Sequence, residues 1–230
     1  MEYNVDVKFC GLTSQHSVNA AVTAGATHLG FIFYPPSPRS VTPREAGHAA
    51  FFSPNRIKRV GVFVDPNDEL IREVVENLSP HILQLHGAET PRRIGQIREK
   101  FNLPIMKAIK VASEKDIESI GQYSDCSDIF LFDAKPPLAT QNSLPGGNGI
   151  SFDWSLLKSF KCEKPWFLSG GINLSNIKDA LKVTGSTAVD VSSGVEDKPG
   201  KKNTQKIERF MQKINELTSE QTHLNRTDKV

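Results

Sequence analysis

Eight short apolar runs recur along this chain, and the segments between them carry helical signals. The runs are Val5–Cys10, Leu29–Phe33, Arg59–Val64, Ile82–Leu85, Ile105–Ile109, Ile129–Phe132, Trp166–Leu168 and Ala188–Val191. Each is short and almost continuously apolar, which predicts a strand buried on both faces. Ser14 precedes Val18, Ala20, Ala21 and Val22, and Asn67 precedes a stripe of Leu70, Ile71, Val74, Val75 and Leu78 at helical spacing. Thr90-Pro91 places a cap before a proline at the first helical position, and Ser175 opens Ile177, Ala180 and Leu181. A last helix carries Ile207, Phe210, Met211, Ile214 and Leu217. Strand and helix in strict alternation predict a parallel sheet with crossover helices. Eight such pairs in 230 residues fit an α/β fold of the (β/α)8 TIM-barrel type, a single domain over 5–217. The polar segment 218–230 is expected to fray as a flexible tail. An open doubly wound sheet competes, but its G-x-G-x-x-G fingerprint is missing after the first run, where Cys10-Gly11-Leu12-Thr13 stands instead.

Composition narrows the function. With 38% hydrophobic and 23% charged residues, the chain can bury a full core without disulfides or metal. A net charge of +2 is too small to imply a nucleic-acid or membrane partner, so an anionic ligand would be held locally. The three cysteines, Cys10, Cys126 and Cys162, form no close pair of the zinc or redox type. Met1-Glu2-Tyr3-Asn4 has neither the basic nor the apolar part of a signal segment, and the expectation is a reduced, cytoplasmic protein.

In a barrel the chemistry sits where strands end. The last two runs finish in small-residue turns, Ser169-Gly170-Gly171-Ile172 and Ser192-Ser193-Gly194-Val195. Side by side, their backbone N–H groups would cup a phosphate. Gly146-Gly147-Asn148-Gly149, at the end of a long loop after the sixth run, offers a third set of donors or is simply a flexible turn. Cys10 ends the first run, either as a thiol poised to act as base or nucleophile or as a small packed residue. Asp133 closes Ile129-Phe130-Leu131-Phe132, a place that suits a carboxyl group holding a proton; the alternative is a loop cap or a pair with Lys135. Arg39 follows the stiff Pro35-Pro36-Ser37-Pro38 turn and is either a fork for a ligand carboxylate or a solvated arginine. His86 orients substrate or is structural. Asp190 accepts from a sugar hydroxyl, orients a base, or bonds backbone amides.

Taken together the motifs resemble the phosphoribosylanthranilate isomerases of tryptophan biosynthesis. The resemblance rests on Val7-Lys8-Phe9-Cys10-Gly11-Leu12, Gly30-Phe31-Ile32-Phe33 with Ser37-Pro38-Arg39, and Gly61-Val62-Phe63. It continues through Gln84-Leu85-His86-Gly87 with Glu89, Leu131-Phe132-Asp133, Gly146-Gly147-Asn148-Gly149 and Phe152-Asp153-Trp154. Leu168-Ser169-Gly170-Gly171-Ile172 and Asp190-Val191-Ser192-Ser193-Gly194-Val195-Glu196 complete it, in the family's order. It implies an Amadori rearrangement of N-(5-phosphoribosyl)anthranilate to 1-(2-carboxyphenylamino)-1-deoxy-D-ribulose 5-phosphate, with no cofactor. Asp133 is implied as general acid and Cys10 as general base. Arg39 would meet the anthranilate carboxylate, and the three small-residue turns would hold the phosphate. His86 and Asp190 complete the implied substrate site, and the implied state is a monomer or homodimer. Asn148 stands where the family usually has Thr or Ser, Ile150 where it often has Lys, and Thr27-His28 replaces a more typical acidic position. The related isomerase of histidine biosynthesis is a competing resemblance, but it calls for an aspartate where Cys10 stands. A barrel that binds a sugar phosphate without turning it over is the non-enzymatic alternative.

Overall fold

A computed structural model describes residues 4–135, 146, 147, 149, 151–158 and 160–227, and in it the eight runs close into one parallel barrel in chain order. The strands are β1 (Asp6–Cys10), β2 (His28–Phe33), β3 (Lys58–Phe63), β4 (Ile82–Leu85), β5 (Ile105–Val111), β6 (Ile129–Ala134), β7 (Trp166–Leu168) and β8 (Ala188–Val191). β8 returns to β1, setting Asp6 opposite Ala188 and Lys8 opposite Asp190. The helices are α1 (Gln15–Ala24), α2 (Pro43–Ala50), α3 (Asp68–Leu78), α4 (Pro91–Phe101), α5 (Glu114–Glu118), α6 (Ile177–Thr184) and α7 (Thr204–Thr227). After β6 a short 3₁₀ turn, Trp154–Leu157, follows Asp153, whose carboxylate accepts from the Ser155 N–H.

The caps read from the sequence are made. Ser14, Asn67 and Thr90 each accept from a backbone N–H three residues on, at Ser17, Leu70 and Arg93. Helix α2 was not among the expected helices, although Thr42 and Glu45 form a reciprocal capping box with Pro43 at the first position. Its buried face is Ala46, Ala49 and Ala50, so no stripe of large side chains announces it. The five-residue α5 buries no residue and was missed for the same reason. Helix α6 starts from Asn176 and not from Ser175, whose hydroxyl bonds Asn173 Oδ1. The polar segment beyond Leu217 is helical as far as Thr227.

Strand residues alternate between two separate apolar regions, because successive side chains point to opposite faces. Val7 and Phe9, Leu29 and Phe31, Phe130 and Phe132, and Val189 and Val191 pack outward under the helices. Cys10, Val60, Val62, Ile82, Met106, Ala108, Leu131, Phe167 and Ala188 fill the barrel interior. The interior is therefore a packed plug, and the polar inward residues lie above or within it.

His28 shows the cost of charge at this depth. Burial pushes its pKa down to about 4, with the Lys8 and Lys58 charges adding to the effect. Its Nδ1 lies 2.8 Å from the Thr27 hydroxyl, and its ring meets Phe167 edge-on at 5.0 Å. Between pH 6.5 and 4 the unfolded chain binds the extra proton and the folded chain does not, so stability rises with pH there. The contribution is full above about pH 6.5 and is lost as pH falls toward 4, on the order of 2–3 kcal/mol. His28→Gln is expected to flatten the fall of Tm across this window. Parallel Tm curves for the two proteins would refute it.

Candidate active site

The C-terminal ends of the strands open on one cavity. Cys10, Arg39, His86, Asp133, Asp190, Ser192 and Ser193 line it, with Gly147, Gly170 and Gly171. Gly149 stands beside it, where a Cβ would lie 3.6 Å from Ser193 Oγ. Gly194 belongs to the last turn but does not line the cavity. The expected contribution of Asn148, and the departure at Ile150, fall outside the described residues.

The turns after β7 and β8 are adjacent, joined by a parallel bridge between Asn173 and Gly194. A side chain at Gly194 would collide with the Ile172 carbonyl, so glycine is what lets the two backbones meet. Gly170 and Gly171 both take positive φ, at 85° and 66°, and a Cβ on Gly170 would press against Ala134 N at 2.8 Å. Successive N–H groups in such a turn form a concave anion seat. Ser192 Oγ donates to the Cys10 carbonyl at 2.9 Å, which ties the turn to the end of β1.

Asp133 is buried at the end of β6, and its Oδ2 lies 3.1 Å from His86 Nε2. The expected alternative pairing with Lys135 is absent, because Lys135 reaches Asp116 at 3.1 Å. His86 Nδ1 in turn lies 2.8 Å from the Gln84 side-chain amide nitrogen, on the inward face of β4. In that orientation Nδ1 accepts, Nε2–H donates to Asp133, and Gln84 Oε1 is buried with no partner among the described residues. Turning the amide over pairs Oε1 with Nδ1–H and leaves Nε2 free to accept a proton from Asp133. In both arrangements Gln84 is tied to His86 and His86 to Asp133, with the other end of the amide buried. A buried ion pair steadies this corner: Lys107 Nζ meets Glu89 Oε2 at 2.7 Å, and Glu89 Oε1 accepts from the N–H groups of Asp65 and Gly87.

Arg39 is not the solvated arginine that a surface turn allows. It is 3% exposed, and its Nε and Nη2 grip both oxygens of Glu196 at 2.9 and 2.8 Å. Glu196 opens a small hairpin, β9 (Glu196–Lys198) and β10 (Lys201–Lys202), and also accepts from Lys202 Nζ at 2.6 Å. The guanidinium stem runs past Gly11, and Nη1 faces Gly147, where Cβ atoms would fall 2.7 Å from Arg39. Burial raises the Glu196 carboxyl, but Arg39 and Lys202 outweigh it and hold the group below its ordinary value. Two cations on one carboxylate leave a net positive charge at this side of the cavity.

Cys10 lies next to this cluster, linked through Ser192 Oγ, which bonds both the Cys10 carbonyl and Lys202 Nζ; it is 5% exposed, with Lys8 two residues earlier on the same face of β1. Lys8 Nζ donates to Asp190 Oδ1 at 2.7 Å, and Ser169 Oγ donates to Asp190 Oδ2 at 3.1 Å. Asp190 is thus held by two side chains and not by backbone amides as one reading expected. Burial pushes the Cys10 thiol up; the Lys8 and Lys202 charges oppose this and Asp190 adds to it. Burial also works against the Lys8 charge, yet Asp190 and Cys10 hold its pKa above the ordinary lysine value.

Lys8, Gln84, Glu196 and Lys202 carried no candidate role in the sequence reading. A signal existed for the first. A lysine and an aspartate each interrupt an otherwise buried strand, Lys8 in β1 and Asp190 in β8, and two such charges need one another.

Comparison with known proteins identifies the family. The family model for N-(5′-phosphoribosyl)anthranilate isomerase matches residues 7–213. The N-(5′-phosphoribosyl)anthranilate isomerase of Brucella canis is 47% identical over 210 residues, covering 91% of this chain and 94% of that one. The crystal structure of phosphoribosyl anthranilate isomerase from Thermotoga maritima superposes with a TM-score of 0.81 at 35% identity, covering 92% of this chain and 99% of that one. A further structure of such an isomerase, in complex with reduced 1-(o-carboxyphenylamino)-1-deoxyribulose 5-phosphate, superposes at 0.77 with 34% identity, covering 92% and 99%. Barrel, cavity and a match that spans nearly all the strands place this chain in the N-(5′-phosphoribosyl)anthranilate isomerase family.

Proposed function

We propose that this chain rearranges N-(5-phosphoribosyl)anthranilate to the 1-amino-1-deoxyketose phosphate with Asp133 as general acid and Cys10 as general base. One observation carries the reading: both residues, Arg39 and the paired small-residue turns line the same cavity at the strand ends. The substrate has a phosphate at one end and a carboxylate at the other. The turns at Gly170–Gly171 and Ser192–Ser193 suit the phosphate, and the positive side at Arg39 suits the carboxylate. Between them Asp133 gives a proton to the ring oxygen and the furanose opens to an iminium. Cys10 thiolate then takes the C2′ proton, and the released electron pair neutralises the iminium as an enolamine, which tautomerises to the ketone. Acid and base each move one proton, so the substrate is isomerised with no net change in atoms. Binding energy at the two remote ends positions the reacting carbons. The relative that binds a reduced carboxyphenylamino-deoxyribulose phosphate supports the same ligand class here. The partner is a small phosphorylated aminoaldose, and the setting is cytoplasmic, with the chain as monomer or homodimer. No helix among the described residues is long and apolar enough to cross a membrane.

The test is the fluorescence of freshly made phosphoribosylanthranilate. Purified protein should speed its decay well above spontaneous hydrolysis, and a decay equal to the control would leave only a binding barrel. Arg39→Ala tests the carboxylate end. It is expected to raise KM at least about tenfold, the scale of a charge-assisted hydrogen bond. Because Arg39 is also gripped by Glu196, stability should fall by about 1–3 kcal/mol, less than for a buried pair left with no second cation. Unchanged KM would remove Arg39 from the substrate site.

A further inference from the structure

We propose that Lys8 is a positioning residue for the isomerisation, its buried ammonium fixed by Asp190 so that it stabilises the Cys10 thiolate when that thiolate forms to take the substrate proton. The proposal rests on the reading of Cys10 as the base.

Lys8 is fully buried inside the barrel. A buried ion pair is a poor way to stabilise a fold, since apolar residues of the same volume usually do as well. The pair therefore calls for a second reason, and its neighbour supplies one. The Lys8 side chain runs beside Cys10 on the inner face of β1, and its charge favours the ionised sulfur. Both side chains crowd the spot left open by Gly30, where a Cβ would lie 3.0 Å from Sγ and 3.1 Å from Lys8 Cε. Asp190 is held by Lys8 on one oxygen and Ser169 on the other, so it fixes where the ammonium points.

The other charged groups facing this corner are already committed. Lys202 and Arg39 share Glu196. Asp133 is bonded to His86 across the cavity. His28, the register partner of Lys8 on β2, is held neutral by burial. Lys8 remains the cation beside the sulfur. A thiolate formed there meets a donor that needs no reorganisation, and a thiol formed after proton transfer is released without breaking the Lys8–Asp190 bond.

The experiment follows iodoacetamide alkylation of Cys10 against pH, resolved from Cys126 and Cys162 by peptide mass spectrometry. Lys8→Met should move the Cys10 midpoint up by at least about one pH unit, a tenfold loss of thiolate at a given pH. The acid limb of kcat/KM should move up with it, so that activity lost at pH 7 is recovered in part at higher pH. A merely structural lysine would lower activity by the same factor at every pH and leave the alkylation midpoint in place, and that result overturns the proposal. Should Lys8→Met fail to fold because Asp190 is stranded, the double variant Lys8→Met/Asp190→Asn removes both charges. The Lys8 influence on the thiol outweighs that of Asp190, so its alkylation midpoint should also rise; an unshifted midpoint overturns the proposal equally. If instead Cys10→Ser keeps wild-type turnover, Cys10 is not the base. The alkylation shift would then survive as a finding about the thiol, which separates the two failures.

Discussion

Asp133→Asn is expected to lower kcat by roughly 10²- to 10⁴-fold while KM and Tm stay close to wild type, the usual scale for a lost general acid. The side chains are nearly the same size, and the asparagine carbonyl can still accept from the Ala134 N–H, which reaches Asp133 Oδ1 at 3.0 Å. The amide can also still touch His86. What disappears is the proton. Ring opening must put a proton on the departing oxygen as the bond breaks, and an amide has none to give at neutral pH. Steady-state kinetics with a parallel melting curve decide it. Turnover within tenfold of wild type would move the acid elsewhere, and His86 would be the next residue to test.

Cys10→Ser should be at least as severe, with roughly 10²-fold or more lost from kcat. Serine fills nearly the same space beside Gly30, so the fold should hold. Its hydroxyl does not ionise in the working range, and no base stands in its place. The pH dependence gives the sharper reading. With Cys10 as the proposed base the thiolate is the active form, and burial pushes the thiol's pKa up, so wild-type kcat/KM should climb as pH rises through neutrality. The residual activity of the serine variant should lack that limb. A retained limb would assign it to another group.

The barrel was legible from the chain because eight buried runs and their caps are local signals, and strand ends fell within two residues of expectation. Helices α2 and α5 were not, since neither buries the wide apolar stripe that periodicity detects. At the site, residues at strand ends could be found by position alone. Their partners could not. Arg39 and Glu196 lie 157 positions apart, and Lys8 and Asp190 lie 182 apart, so the pairings exist only once the barrel closes. The contact of Gln84 with His86 is hidden for another reason: it depends on how two side chains turn toward each other on one face of β4, which no residue pattern encodes.

Neighbouring residues on one strand answer to different demands here. Phe9 and Phe132 pack under the helices, while Cys10 and Asp133, one position further on, face the cavity. Substitutions that keep volume at Val7, Phe9, Phe31, Phe132, Val189 or Val191 act on the outer shell, where cores tolerate repacking. Those at the cavity-facing strand ends, Cys10 and Asp133, act on turnover, while the inward residues below them form a second packed core. Heat tolerance draws on the outward steps of the strands, and catalytic rate on their cavity-facing ends. Outer-shell repacking can therefore retune the working temperature of this barrel while the side chains that face substrate stay as they are.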